Sequence, residues 1–273
     1  MTKRIIFGVL GAIIAVSIFL YADLLVIGVI VGAIIMLALY EFFRTVGYTK
    51  DKKILVLLSY LYAISITATF ITERAASNRL MPPIMFMYTV LLLLVMVLNH
   101  KKLTFGDAAT AFLGTNYITL FLSCIYLISA LPNGRMYIWI PFIIAWLTDT
   151  FAYFTGVFFG KTKLIPGVSP KKTVEGALGG VAGAVVSMMV YMVVCKYCFG
   201  AYPKFLMGAV LAFVCSCASQ VGDLAASCIK REHGAKDFGS IMPGHGGVLD
   251  RFDSVIYIAP VVYYFLTGFG IFG

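Results

Sequence analysis

Between Gly222 and Ser254 the chain reads GDLAASCIKREHGAKDFGSIMPGHGGVLDRFDS, and this stretch collects charge that the rest of the sequence avoids. Asp223, Glu232, Asp237, Asp250 and Asp253, five of the twelve acidic residues, interleave with Lys230, Arg231, Lys236 and Arg251. Asp223, Ser227 and Arg231 stand four residues apart, so a helix puts them on one face, with Lys230 as a second cation beside them. Pro243-Gly244-His245-Gly246-Gly247 reads as a tight loop whose backbone amides can approach phosphate oxygens. Asp250 and Asp253 follow at a spacing of three, with Arg251 between them, where the next helix should begin. Carboxylates of this kind suit Mg²⁺, which takes one or two of them together with substrate phosphates. Carboxylates for a metal, cations for phosphate and a pliant backbone together imply chemistry on a phosphorylated substrate. His245 reads as a loop hydrogen-bonding residue or a phosphate donor rather than a base.

Two further places could do chemistry. Asp149 lies inside an apolar run, AWLTDTFAYFTG, where a carboxylate costs at least a few kcal/mol unless it faces a partner or a polar cavity. It shares a helix face with Trp146 and Tyr153, which fits either a buried hydrogen bond or the wall of a hydrophilic site. The segment KTKLIPGVSPKKTVEG brings Lys161, Lys163, Lys171 and Lys172 together, and Pro166, Gly167 and Pro170 keep it from being helical. Ser169 or Thr173 can cap the helix that follows, with Glu175 in its first turn. Lysines beside a helix N-terminus make an anion site; a solvated loop on the positive side of a membrane is the plainer account.

The elements that must carry these residues are membrane helices. Of 273 residues, 61% are hydrophobic and 12% charged, against about 25% charged in a soluble domain. Apolar runs near the roughly 20 residues needed to cross a bilayer recur throughout, without the two-residue alternation of a membrane barrel. The expected fold is all-α, a polytopic transmembrane bundle of about nine spans. They fall near 5–20, 24–42, 54–72, 83–99, 108–131, 137–159, 174–199, 205–228 and 254–272. The first is read as a retained span rather than a signal peptide, because Tyr21-Ala22-Asp23 does not follow a cleavage pattern. Residues 1–273 are expected to form one integral membrane domain. Within it, 1–135 would supply scaffold and lipid access, and 136–273 would carry the catalytic motifs.

Of the 21 Lys and Arg, only Arg74, Arg79, Arg135, Lys196 and Lys204 fall on the side of the membrane opposite the N-terminus. The positive-inside rule then places the N-terminus and the loops 160–173 and 229–253 in the cytoplasm. A net charge of +9 is ordinary beside anionic lipid, and no nucleic-acid module is visible. Cys195 and Cys198 form a lone CxxC without the second pair that a zinc site wants. Gly28 with Gly32, Gly176 with Gly180 and Gly179 with Gly183 form GxxxG pairs, which suit helix contacts within one subunit and, alternatively, a homodimer.

The 223–253 stretch resembles the signature of the CDP-diacylglycerol synthases, the phosphatidate cytidylyltransferases. Ser227, Lys230, Arg231, Lys236, Asp237, Pro243, His245, Gly246, Gly247, Asp250, Arg251 and Asp253 stand in register with it. The run Ser169-Pro170-Lys171-Lys172-Thr173 with Glu175-Gly176 resembles a second conserved block. The likeness covers the C-terminal half; the N-terminal half is similar only in being apolar helices. Met242 departs from the usual Leu, Ile or Phe, and Val157 stands where many members carry a basic residue.

The resemblance implies transfer of a cytidylyl group from CTP to phosphatidic acid, giving CDP-diacylglycerol and pyrophosphate. By motif position it implies Asp223 and Asp250 as Mg²⁺ ligands, brought together by the loop between them, with Asp253 as a further ligand and room for a second metal ion. Lys230, Arg231, Arg251, Lys171 and Lys172 would neutralise phosphates. Ser169, Thr173, Ser227, Lys236, His245, Gly246 and Gly247 would line the phosphate site, with Asp149, Glu175 and Asp237 as other site candidates. In a bacterium the setting would be the plasma membrane. Two alternatives stand beside this one: a cytidylyltransferase for another lipid phosphate such as an ether lipid, and an ion-coupled transporter using Asp149 and Asp223. The D-G-x-x-A-R pattern of the CDP-alcohol transferases is missing.

Overall fold

A computed structural model describes residues 17–73, 79–240 and 246–273, and they are predominantly helical. In chain order the elements are α1 (Leu24–Thr45), the short α2 (Tyr48–Asp51), α3 (Lys53–Glu73), α4 (Met81–Leu98), α5 (Phe105–Ala130), the short α6 (Gly134–Tyr137), α7 (Trp139–Phe159), β1 (Lys163–Ile165), β2 (Ser169–Thr173), α8 (Val174–Phe199), α9 (Phe205–Glu232) and α10 (Leu249–Gly268). Seven of these helices are long and apolar enough to cross a membrane among the described residues. α10 is 20 residues long but opens on Leu-Asp-Arg-Phe-Asp, which lowers its hydropathy. The chain is thus an integral membrane protein of the all-α class. Each of the eight long helices overlaps an expected span, while the short α2 lies between spans and the short α6 ends where one begins. The expected span at 5–20 lies almost wholly outside the described residues.

The helices expose Leu93, Leu94, Val97, Phe158, Leu178 and many similar side chains, the surface that lipid tails solvate in place of water. α9 has 28 residues, a rise of about 42 Å at ~1.5 Å per residue. That exceeds the ~30 Å hydrocarbon layer, leaving room for its last, charged turns to stand at the headgroups.

The chain divides into two compact units, one of Met1–Pro132 with Asp237–Arg251, the other of Asn133–Lys236 with Phe252–Gly273. In the first, α1, α3 and α5 pack around Ile35, Leu39, Phe43, Leu55, Ile66, Ile118 and Leu122, all fully buried. Gly114 lets α5 approach the Phe42 ring, and Gly28 faces Ile71 and Tyr126. A buried polar network ties α3, α4 and α5: Ser59 and Tyr88 share a 2.8 Å hydrogen bond, Tyr88 donates to Thr115 at 3.2 Å, and Tyr62 donates to Asn116 at 2.7 Å. At the helix ends, Thr104 and Asp107 form a capping box for α5, and Lys52 pairs with Asp107.

In the second unit, α7 and α8 lie against each other along their length. Gly180 meets Thr148 and Ala152, while Gly183 meets Phe151 and Gly179 meets Thr155. The glycines of the GxxxG pairs are therefore filled by neighbours within the chain. Thr148 donates to Ser216, buried, at 3.0 Å, joining α7 to α9. The proline-rich stretch before α8, expected as an irregular loop, contains a two-stranded antiparallel hairpin in which Lys163 opposes Thr173 and Ile165 opposes Ser169. Pro166 and Gly167 fall in its turn, where a missing N–H costs no ladder bond.

Candidate functional site

The hairpin gives its two central lysines different fates. Successive residues of a strand point to opposite faces, so Lys171 and Lys172 cannot face the same way. Lys171 is exposed, whereas Lys172 reaches α9 and forms an ion pair with Asp223. The hairpin is fastened to α8 on both sides. Thr173 is the N-cap, its hydroxyl accepting from Gly176 N at 3.1 Å. Val174 N donates to Thr162 O at 3.0 Å. The Glu175 carboxylate accepts from Lys161 N at 3.1 Å and Thr162 N at 3.2 Å. Glu175 and Thr173 therefore hold the hairpin, and Ser169 sits half-buried at the start of β2. None of these hydrogen bonds is made by a lysine or arginine side chain.

Around the Lys172–Asp223 pair the second unit gathers charges from four elements. Asp149 of α7 lies within electrostatic reach of both Asp223 and Lys172, and the Ser254 side chain hydrogen-bonds it. Asp253 of α10 feels Asp223, Asp149 and Lys230. Its Oδ1 accepts from Ser254 N at 2.8 Å, and its Oδ2 is 3.9 Å from the Lys230 Nζ. Lys230 itself is only 8% exposed, so its charge is committed to the interior. Gly222 permits the approach of α10 to α9, because a side chain there would meet Tyr257 and the Asp253 carbonyl. Lys230 is buried, Lys172, Asp223 and Asp253 are half-buried and Asp149 is exposed; three carboxylates and two lysines at this depth of a membrane protein are costly unless they balance one another or a ligand. Ser227, one turn beyond Asp223, is half-buried. Arg231 is exposed and turned back on its own helix end, Nη1 donating to Ala235 O at 3.1 Å. Lys236 is exposed beyond it.

The first unit holds the other part of the charged stretch. Asp237 is exposed. The Asp250 Oδ2 accepts from Phe238 N at 2.8 Å and Gly247 N at 2.9 Å, so this carboxylate ties both ends of the 238–247 segment together. Gly246 has φ +79°, a left-handed conformation that glycine adopts without strain. Arg251 is exposed on the first turn of α10. His245 lies outside the described residues, as does Met242. The segment rests on Glu41 of α1, a carboxylate with no exposure. Its Oε1 accepts from Val248 N at 3.0 Å and its Oε2 from Leu249 N at 2.8 Å. Sequence reading passed over Glu41. The signal was available: it is an acid in an apolar run, the argument that singles out Asp149.

Among the described residues, no three His, Cys, Asp or Glu side chains are drawn together closely enough to hold a metal ion. The donor set nevertheless fits Mg²⁺, which keeps waters and binds through one or two carboxylates plus substrate phosphates. Asp223, with Asp149 and Asp253 around it, offers hard oxygen donors, and Lys172 and Lys230 offer charge for the anion that would accompany the cation. All six cysteines are free, and Cys195 of the CxxC is buried while Cys198 is exposed.

A membrane-embedded helical protein with acids and lysines gathered from four elements belongs to the class that handles polyanions at a bilayer. A sequence model described as "Cytidylyltransferase family" matches residues 2–269. The chain is similar to the phosphatidate cytidylyltransferase of Bacillus subtilis (strain 168), 32% identical over 285 aligned positions that cover 98% of each chain. It is 34% identical to that of Staphylococcus saprophyticus over 212 positions, 77% of this chain and 79% of the relative. With that of Staphylococcus aureus (strain COL) it shares 37% identity over 166 positions, 61% of this chain and 62% of the relative. The chain belongs to the cytidylyltransferase family.

Proposed function

We propose that this protein transfers the cytidylyl group of CTP to phosphatidic acid in the membrane, releasing pyrophosphate and leaving CDP-diacylglycerol. Relatives bearing the name phosphatidate cytidylyltransferase, one along nearly its whole length, are the observation that carries the reaction. The chemistry needs no strong general base, because the attacking lipid phosphate is already ionised. It needs two anions brought together and an in-line approach to the α-phosphorus, which is positioning plus charge neutralisation.

The residues divide that work. Lys171, exposed on the hairpin, is placed to meet an incoming phosphate. Lys172 holds Asp223 and is available to exchange that partner for a phosphate oxygen. Lys230 balances Asp253 and keeps the carboxylate cluster from repelling itself apart. Arg231 and Arg251, both exposed, are further phosphate partners, and Ser227, Lys236, Gly246 and Gly247 are hydrogen-bond donors by their motif positions. Asp223 and Asp253, with Asp149 beside Asp223, are carboxylates to hold Mg²⁺, and Asp250 is proposed as a ligand from its motif position alone. When bound, the metal would neutralise the triphosphate and the departing pyrophosphate.

The charged loops 160–173 and 229–253 face the cytoplasm in this reading, where CTP is available, and in a bacterium the membrane is the plasma membrane. The test is pyrophosphate release by the purified protein in detergent. It should require CTP, Mg²⁺ and phosphatidate together, and a dialkyl ether phosphatidate should be compared as acceptor. Release without a lipid phosphate, or with the ether lipid alone, would replace this reading by nucleotide hydrolysis or by the ether-lipid transferase.

A further inference from the structure

We infer that Glu41 is a positioning residue for nucleotide binding, acting through the segment that carries Gly246, Gly247, Asp250 and Arg251. The inference rests on the reading above that this segment meets the CTP phosphates.

Helix α1 reaches the segment at two points. Near its C-terminus, Thr45 donates to Phe238 O at 3.2 Å. One turn earlier, Glu41 accepts from Val248 N and Leu249 N. These N–H groups open α10 and have no partner within the helix. A fully buried carboxylate supplied by a distant helix thus replaces the local side chain that ordinarily caps a helix. The substrate-facing side of the segment is then left to Asp250 and Arg251.

The surroundings are shaped to this carboxylate. A side chain at Gly239 or at Gly247 would run into the Glu41 carboxyl group. Two glycines therefore leave space for one acid, both ahead of the residues it holds. Helix stability alone would be served by a serine or aspartate at position 248. A remote acid fixes where the helix begins relative to α1, and with it the placement of Asp250, whose Oδ2 closes the segment onto Phe238 N and Gly247 N. Uncompensated, a buried carboxylate is expensive; its two backbone hydrogen bonds offset that cost only while the segment keeps this conformation. Residues 247–250 are consequently held in one arrangement before CTP arrives, and their ordering is not left to the nucleotide to supply.

The test compares wild type with Glu41→Gln and Gly239→Ala in detergent. Equilibrium binding of labelled CTP with Mg²⁺ is measured without lipid acceptor, alongside the KM for CTP, kcat and the thermal midpoint. Glutamine keeps the size but has one acceptor oxygen, so one of the two N–H groups faces an amide NH₂. The expected result is CTP binding weaker by about tenfold to a hundredfold, the loss attending one charge-assisted hydrogen bond. The KM for phosphatidate should be little changed. A role in stability alone predicts a lower midpoint and less active protein, with the folded fraction binding CTP as wild type does; that result overturns the inference. Should Glu41→Gln fail to fold, Gly239→Ala, whose added methyl would meet the Glu41 side chain first, is read the same way, and loss of fold in both assigns Glu41 to stability and also overturns it. Asp250→Asn is run in parallel. If its CTP binding is unchanged, the segment does not meet the nucleotide and the underlying reading fails. If Asp250→Asn is impaired and the Glu41 and Gly239 variants are not, the inference alone fails.

Discussion

Asparagine at position 223 separates a functional carboxylate from a structural one. In the structure Asp223 pairs with Lys172, and the two side chains are 24% and 31% exposed. A pair so accessible is worth only about 0.2–1 kcal/mol to folding. Asp223→Asn should therefore lower stability by no more than about 1 kcal/mol, and the repulsion it relieves with Asp149 and Asp253 reduces the loss further. Catalysis should respond far more strongly. Removing the charge takes away a hard ligand for Mg²⁺ and frees Lys172 from its partner, and each charge-assisted contact to a metal or phosphate carries roughly 1.5–3 kcal/mol. A tenfold to hundredfold fall in kcat/KM is expected, with half-maximal activity moved to higher Mg²⁺. The assay is turnover against Mg²⁺ concentration, with the thermal midpoint measured on the same samples. A variant that loses stability yet keeps the wild-type Mg²⁺ dependence would refute the reasoning and leave Asp223 as one half of a structural ion pair.

Three further outcomes are expected. Lys171→Ala should leave the thermal midpoint unchanged, because the side chain is exposed. It should raise the KM for an anionic substrate by about tenfold or more, which steady-state kinetics will read. Lys230→Met should destabilise by about 3 kcal/mol, because Lys230 is 8% exposed and its removal leaves the Asp253 charge inside without it; denaturation in detergent measures the loss, and Asp253→Asn in the same chain should recover part of it. Cysteines introduced at Lys163 and Ala235 should both label from the cytoplasmic side of sealed vesicles and from that side only. Labelling from opposite sides would contradict the shared cytoplasmic placement of the two charged loops.

The helices were legible because hydrophobic length alone selects them: a run such as Val174–Phe199 has one way to satisfy its backbone in lipid. The charge cluster was legible in part. Asp149 announced itself as an acid in an apolar run, and Asp223, Lys230 and Asp253 by their spacing on two helix ends. What lay beyond reach was pairing across elements. Lys171 and Lys172 read as equivalent until a strand turns one toward Asp223 and the other outward, and a hairpin of a few residues, broken by Pro166 and Gly167, carries too little alternation to be seen. Asp250 read as a metal ligand; its two backbone hydrogen bonds, to Phe238 and Gly247, depend on how a loop closes rather than on spacing. Glu41 was masked by its place at the end of a span, three residues before Arg44, where an acid passes for part of a solvated helix end.

The central claim is that the nucleotide's α-phosphorus, and not its terminal phosphate, is joined to a membrane lipid. Purified protein should be given phosphatidate, Mg²⁺ and CTP labelled either at the α- or at the γ-phosphate, and the lipid and aqueous phases separated. The account predicts α-label in the lipid phase and γ-label only in water as pyrophosphate, in equal amounts. γ-Label in the lipid, or α-label that never leaves the aqueous phase, would contradict it.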